Sequence, residues 1–144
     1  MHDEPFPKAE DRSAAGRAPA ESLSSSVSNA VVQIFAAHVG RGPTKARTVV
    51  ARDLITVVLE ETFTTAERTL IERGGEEAVL ELRRAAHVAM RDRLVEAVEA
   101  ISGRRVLACL GDQQTDPDIA VETFVLAPVT EEERGLTRPA ADQS

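Results

Sequence analysis

The longest uninterrupted helical pattern in the sequence is EEAVLELRRAAHVAMRDRLVEAVEAISG, residues 76–103. It has no proline and no glycine before Gly103, which is a natural helix stop. Its apolar residues trace one stripe at helical spacing. They are Val79, Leu82, Ala86, Met90, Leu94, Val98 and Ile101. About 26 residues at about 1.5 Å each give a helix of about 39 Å, long enough to cross a small sheet. The rest of the fold must cover this stripe.

Two predicted hairpins flank the central helices. The first pairs TVVA (48–51) with LITVVLE (54–60) across a tight turn at Arg52 and Asp53. The second pairs RRVLACLG (104–111) with IAVETFVLAP (119–128) across the polar segment DQQTDPD. Alternation within residues 54–60 places Ile55, Val57 and Leu59 on one face and Leu54, Thr56 and Val58 on the other.

Two shorter helices complete the pattern. SVSNAVVQIFAAHV (26–39) has helical spacing and stops at Gly40. In TFTTAERTLIERGG, Thr64 and Glu67 match a capping box, and two glycines end the helix. The order α-β-β-α-α-β-β predicts an α+β two-layer sandwich. Its sheet is four-stranded and mainly antiparallel, built from two hairpins, with the helices on one face.

Both ends of the chain lack a pattern that could form a core. Residues 1–25 and 129–144 mix Pro, Ala, Ser and charged residues without apolar periodicity. Such segments bury too little apolar surface to offset the entropy of ordering. We therefore predict disordered tails at 1–25 and 129–144 around a single domain at 26–128.

The charge and composition exclude several classes of protein. The net charge of −7 opposes non-specific binding to nucleic acid or anionic lipid. No apolar stretch approaches the roughly 20 residues that span a bilayer, and no signal-peptide core is present. We predict a cytoplasmic location, with no nucleic-acid partner and no direct membrane span.

The segment GRGPTKAR, residues 40–47, concentrates positive charge in an acidic chain. Its spacing is not that of a Walker A loop. Arginine forks and loop N–H groups suit a phosphate or carboxylate. The predicted anion- or partner-binding residues are Gly40, Arg41, Gly42, Thr44, Lys45 and Arg47. The alternative is a plain helix-to-strand connector whose cations are solvated or pair with Glu60 and Glu61.

Several blocks of the sequence resemble the MpsC family. They are NAVVQIFAAHVGRGPTKART, VVLEETFTTAERTLIERG, LRRAAHVAMRDRLVEAVEAISGRRVLACL and DPDIAVETFVL, within residues 27–128. The family is named for a sodium-translocating, membrane-potential-generating system. The resemblance implies a small soluble bacterial protein, an accessory to ion or inorganic-carbon transport. It implies no catalytic mechanism.

The sequence supports neither a catalytic site nor a metal site. Asp112, Asp116 and Asp118 form an oxygen-rich loop, but without EF-hand spacing. The histidines have no evident carboxylate or cysteine partner, and zinc normally needs more ligands. Cys109 lies in an apolar run and is expected to be a small buried side chain. Glu122 is expected on the polar face of its strand, where it could pair with a cation of the glycine loop.

The prediction for function is a non-catalytic domain without a cofactor that binds a protein partner and forms a homo-oligomer. It depends on residues 54–59, which carry apolar side chains on both faces, whereas helices in a two-layer fold cover only one. The alternative is a small-anion or nucleotide sensor that uses residues 40–47.

Overall fold

The computed structural model describes residues 18–129. The elements are α1 (Ala18–Val39), β1 (Lys45–Ala51), β2 (Leu54–Glu60), α2 (Thr65–Glu72), α3 (Glu76–Ser102), β3 (Val106–Gln114) and β4 (Ile119–Leu126). The four strands form one antiparallel sheet in the order β1-β2-β4-β3. This confirms the predicted α+β fold, including the order of its elements and its two hairpins.

The core lies between the sheet and two helices. Helix α1 packs over β1 and β2, α3 packs over β3, and α2 packs on α3. Strand alternation sends Ile55, Val57 and Leu59 of β2 into this layer, as predicted. From β4, Phe124 and Leu126 enter the same core. One face of the sheet is therefore covered by helices.

The first helix is longer than predicted, because it begins at Ala18 rather than near residue 26. Pro19 stands in its first turn, where a missing N–H costs no helical hydrogen bond. The predicted disorder of residues 1–17 and 130–144 falls outside the described residues. None of the helices within residues 18–129 has a stretch long and apolar enough to cross a membrane.

The stripe predicted on α3 is wrong at one position. Leu82 is 54% exposed, whereas the next residue, Arg83, is buried with Val79. The inward face runs through Val79, Arg83, His87, Met90, Leu94 and Val98. The spacing of three and four residues is kept, but two polar side chains take part in it. An apolar-only criterion selected Leu82 because it could not anticipate partners for a buried arginine.

The second hairpin turns later than predicted. Strand β3 continues to Gln114, so Asp112 lies in the strand and only residues 115–118 form the turn. Asp118 accepts hydrogen bonds from the Thr62 hydroxyl at 2.8 Å and the Phe63 N–H at 2.9 Å. Its carboxylate therefore joins this turn to the β2–α2 connection, and the three aspartates do not converge on one point.

Candidate functional site

A buried histidine–carboxylate pair lies between α3 and the second hairpin. Gly111 of β3 is directly opposite Glu122 of β4 in the strand register, and both positions face α3. The Nδ1 atom of His87 lies 3.1 Å from each carboxylate oxygen of Glu122. The Glu122 side chain is only 4% exposed. The expectation that Glu122 lies on a polar face is thus wrong, because that face of β4 points into the core.

Gly111 leaves the room that this pair occupies. A Cβ atom at residue 111 would lie 2.6 Å from Oε1 of Glu122 and 2.7 Å from Nδ1 of His87. Real Cβ atoms do not approach other atoms so closely, so any larger residue would push the pair apart. The sequence prediction ended the strand at Gly111, whereas the strand continues to Gln114, so the glycine was not recognised as a close approach inside a strand.

The environment shifts the protonation of three groups here. The hydrogen bond with Glu122 raises the pKa of His87. Burial raises the pKa of Glu122, against the opposing effect of His87. The pair therefore holds a proton to higher pH than a free imidazole would. Burial also raises the pKa of the Cys109 thiol to about 12. This thiol is therefore protonated at neutral pH, which opposes a nucleophilic role.

The space beside the pair is small. A cavity of about 60 Å³ is lined by residues that include Phe35, Arg83, His87, Gly111 and Glu122. Sites for small organic ligands typically measure about 300–1,000 Å³. This cavity can accept a water molecule or an ion but not a nucleotide. A wider, open groove of about 390 Å³ lies at the end of the second hairpin, with Glu76 and Asp112 among its lining residues.

Next to the cavity, Arg83 is the centre of a buried polar network. Its guanidinium donates to the Glu67 carboxylate at 2.7 and 2.8 Å and to the Thr62 carbonyl at 2.7 Å. It also donates to the Gln113 side chain and lies 4.9 Å from the centre of the Phe63 ring. Burial alone would raise the pKa of Glu67, but the bonds from Arg83 and Thr64 outweigh it and lower that pKa. The network joins α2, α3 and β3.

The capping box fixes the position of Glu67 in this network. The Thr64 hydroxyl accepts the Glu67 N–H at 3.1 Å, and the Glu67 carboxylate accepts the Thr64 N–H at 2.9 Å. The predicted capping box is therefore confirmed. One carboxylate both caps α2 and neutralises Arg83, which ties the start of this short helix to the core.

The loop at residues 40–47 connects α1 to β1 at one end of the sheet. Gly40 has a left-handed backbone with φ of 96°. Arg41 donates to the Phe63 carbonyl at 2.7 Å, Arg47 pairs with Glu60 at 2.9 Å, and Thr44 donates to Glu61. Lys45 is exposed, and its side chain has no partner among residues 22–129. Anion binding by this loop stays a prediction.

The sheet face turned away from the helices is the second candidate surface, called the outer face below. Its side chains form four rows across the strand order β1-β2-β4-β3. The rows are Lys45, Glu60, Ile119, Gln114; Arg47, Val58, Val121, Asp112; Val49, Thr56, Thr123, Leu110; and Ala51, Leu54, Val125, Ala108. Leu110 is 61% exposed. The main helix contacts of the described residues lie on the opposite face, and only at the end of the second hairpin do Ile119 and Val121 line the open groove together with the start of α3.

Comparison with known protein families matches residues 20–128 to the family described as "Na+-translocating membrane potential-generating system (MpsC)". The match spans both hairpins and all but the start of α1. Comparisons with curated proteins and with solved structures found no match.

Proposed function

Because this chain belongs to the MpsC family, we propose that it is a non-catalytic binding subunit of a Na⁺-translocating, membrane-potential-generating system. The predicted bacterial origin, cytoplasmic location and alternative role in inorganic-carbon transport belong to the same proposal. The small size of the cavity beside His87 opposes turnover of an organic substrate at that pair. We propose further that the chain acts as a homodimer.

The observation that carries the proposal is the uncovered outer face. Apolar side chains from all four strands lie on it, including Val49, Leu54, Val121 and Leu110. Strand and residue spacings give this face roughly 500 Å² in projection. Two such faces together reach roughly 1,000 Å², the lower limit for a specific interface. A cluster of apolar side chains on a sheet face, here interspersed with charged and polar residues, indicates an interaction site.

Charge complementarity favours a second copy of this chain as the occupant. A two-fold axis parallel to the strands would place β1 over β3 of the partner subunit, with the rows in register. Arg47 at the β1 edge would then face Asp112 at the β3 edge of the second copy, and Val58 would face Val121. With a two-fold axis across the strands, Arg47 and Asp112 would instead lie against apolar side chains of the second copy, which is unfavourable. The outer face is therefore self-complementary in one orientation.

Replacing Val121 with aspartate should convert the dimer to a monomer. The new carboxylate would face the apolar Val58 of the second copy at the centre of the interface, where burial of a charge is unfavourable, and it would repel the neighbouring Asp112. Sedimentation velocity at micromolar concentration measures the change. The matched control is Val88→Asp, which places the same carboxylate on an exposed position of α3, away from the outer face.

The control variant should remain dimeric and fold like the wild type. Equal dimerisation of both variants would contradict the assignment of the interface to the outer face. A different outcome would exclude the homodimer. If the wild type is a monomer that binds another protein, and Val121→Asp abolishes that binding, the outer face is the binding surface for that protein.

The alternative function, a small-anion sensor at residues 40–47, rests on the exposed Thr44 and Lys45. If it holds, Arg41→Glu with Lys45→Glu should abolish binding of inorganic phosphate and of nucleotides in calorimetric titrations. The change at Lys45 should leave the fold intact, because Lys45 is exposed and has no partner among residues 22–129. The change at Arg41 also removes the hydrogen bond to the Phe63 carbonyl, so circular dichroism must show that the double variant is folded. If the double variant still binds phosphate or nucleotides, the loop does not bind the anion and only connects α1 to β1.

A further inference from the structure

The fold brings together three potential metal ligands that lie far apart in the sequence. His87 comes from α3, Cys109 from β3 and Glu122 from β4. One ligand atom of each lies within 4.8 Å of the other two. They meet because Cys109 and Gly111 share the inner face of β3, and the missing side chain of Gly111 lets His87 reach Glu122. The cluster lies in the covered layer of the sandwich, away from the outer face.

An independent observation indicates that the cluster has an incomplete set of partners. Oε1 of Glu122 is buried and has no hydrogen-bond donor within the part of the chain that the structure describes. By its geometry, the His87 ring forms a hydrogen bond only with the other carboxylate oxygen, Oε2. A buried carboxylate oxygen that has lost its water and accepts no hydrogen bond is destabilising, even with the His87 ring close by. A cation placed between the three side chains would satisfy it.

The donor set selects the kind of cation. Binding of a cation here would release the thiol proton of Cys109 and the proton held by the His87–Glu122 pair to solvent. The resulting imidazole nitrogen, thiolate and carboxylate are ligands that Zn²⁺ and related divalent transition metals accept. Hard cations such as Ca²⁺ and Mg²⁺ need more oxygen ligands than this cluster offers. Tetrahedral zinc bonds place a nitrogen and an oxygen ligand about 3.4 Å apart, close to the observed 3.1 Å between His87 and Glu122.

We propose that His87, Cys109 and Glu122 form a three-ligand site for a divalent transition metal, with Zn²⁺ the best match. The adjacent cavity, which His87 and Glu122 line, provides the route of entry and room for a fourth, water ligand. The site links α3 to both strands of the second hairpin, so metal binding stabilises the folded domain.

Cobalt binding to the full-length protein tests the site directly. After treatment with a chelator, one equivalent of Co²⁺ should produce a near-ultraviolet thiolate-to-cobalt absorption band. Since Cys109 is the only cysteine of the chain, that band must come from this site. Zn²⁺ should then displace the Co²⁺, remove the band and raise the melting temperature. A wild-type protein that binds no Co²⁺, or binds it without the thiolate band, would overturn the proposal.

Two substitutions assign the remaining ligands. Glu122→Gln and His87→Gln should each weaken Zn²⁺ affinity by at least about 100-fold, which is the upper range for changes to groups that only hydrogen-bond to a metal ligand. The control His38→Gln changes an exposed histidine of α1 and should leave the affinity unchanged. Unchanged affinity in a folded ligand variant would overturn the assignment of that ligand. The cobalt spectrum of the wild type decides the proposal even if neither variant folds.

Discussion

Replacing Arg83 with methionine is expected to lower the free energy of unfolding by about 3–5 kcal/mol, the cost of breaking a buried ion pair by removing one partner. Methionine fills much of the same volume, but it cannot donate to Glu67 or to the Thr62 carbonyl. Glu67 would then be a buried charge without its cation. Urea denaturation monitored by circular dichroism measures the loss.

The neighbouring arginine provides the control. Arg84 is 59% exposed and approaches Glu77 only at 3.5 Å, so Arg84→Met should change stability by no more than about 1 kcal/mol. Similar losses in the two variants would contradict a special role for the buried network.

The pH dependence of the same variant gives a second readout. The pKa of Glu67 in the folded protein lies below its usual value of 4.5, so its contribution is complete above that pH and is lost as the pH falls through the folded value. The stability difference between the wild type and Arg83→Met should therefore shrink in acid. A difference that stays constant down to acid unfolding would show that the charge pair is not its source.

Replacing Gly111 with alanine is expected to destabilise the domain by about 1–3 kcal/mol, the typical cost of forcing one more group into a packed site. The added Cβ would collide with the carboxylate of Glu122 and the ring of His87. One of the two buried groups must move, and the hydrogen bond between them is strained or lost. Thermal melts of the wild type and the variant check the result.

Gly42→Ala is the matched control, since a Cβ there would meet its nearest atoms at an ordinary 3.6 Å and the backbone is not left-handed. This variant should be neutral or slightly more stable, because alanine restricts the unfolded chain. Destabilisation of both variants by the same amount would show a general penalty for removing glycine rather than crowding at the His87–Glu122 pair.

The fold could be predicted from the sequence because its signals are local. The period of two in residues 54–60, the capping box at Thr64 and the stop at Gly103 each specify an element without knowledge of the rest. The turn at Arg52 and Asp53 forms as predicted, although this residue pair is not one that tight hairpin turns favour. Arg104, from another part of the chain, donates to the carbonyl of Arg52.

The buried polar groups could not be predicted in the same way, because their partners lie far along the chain. The strand that contains Glu122 was predicted correctly from its alternation. That Glu122 lies on the buried face of this strand is shown only by the packing of α3. Arg83 and His87 occupy inward helical positions that an apolar criterion assigns to solvent. Their partners, Glu67 and Glu122, come from other elements, and this separation also concealed the cluster with Cys109.

The mass of the wild-type protein in solution tests the proposed homodimer most directly. Light scattering across micromolar concentrations should give twice the chain mass of 15.5 kDa. The value should fall toward that of a single chain on dilution or in the Val121→Asp variant. A mass of 15.5 kDa at every concentration would contradict the homodimer.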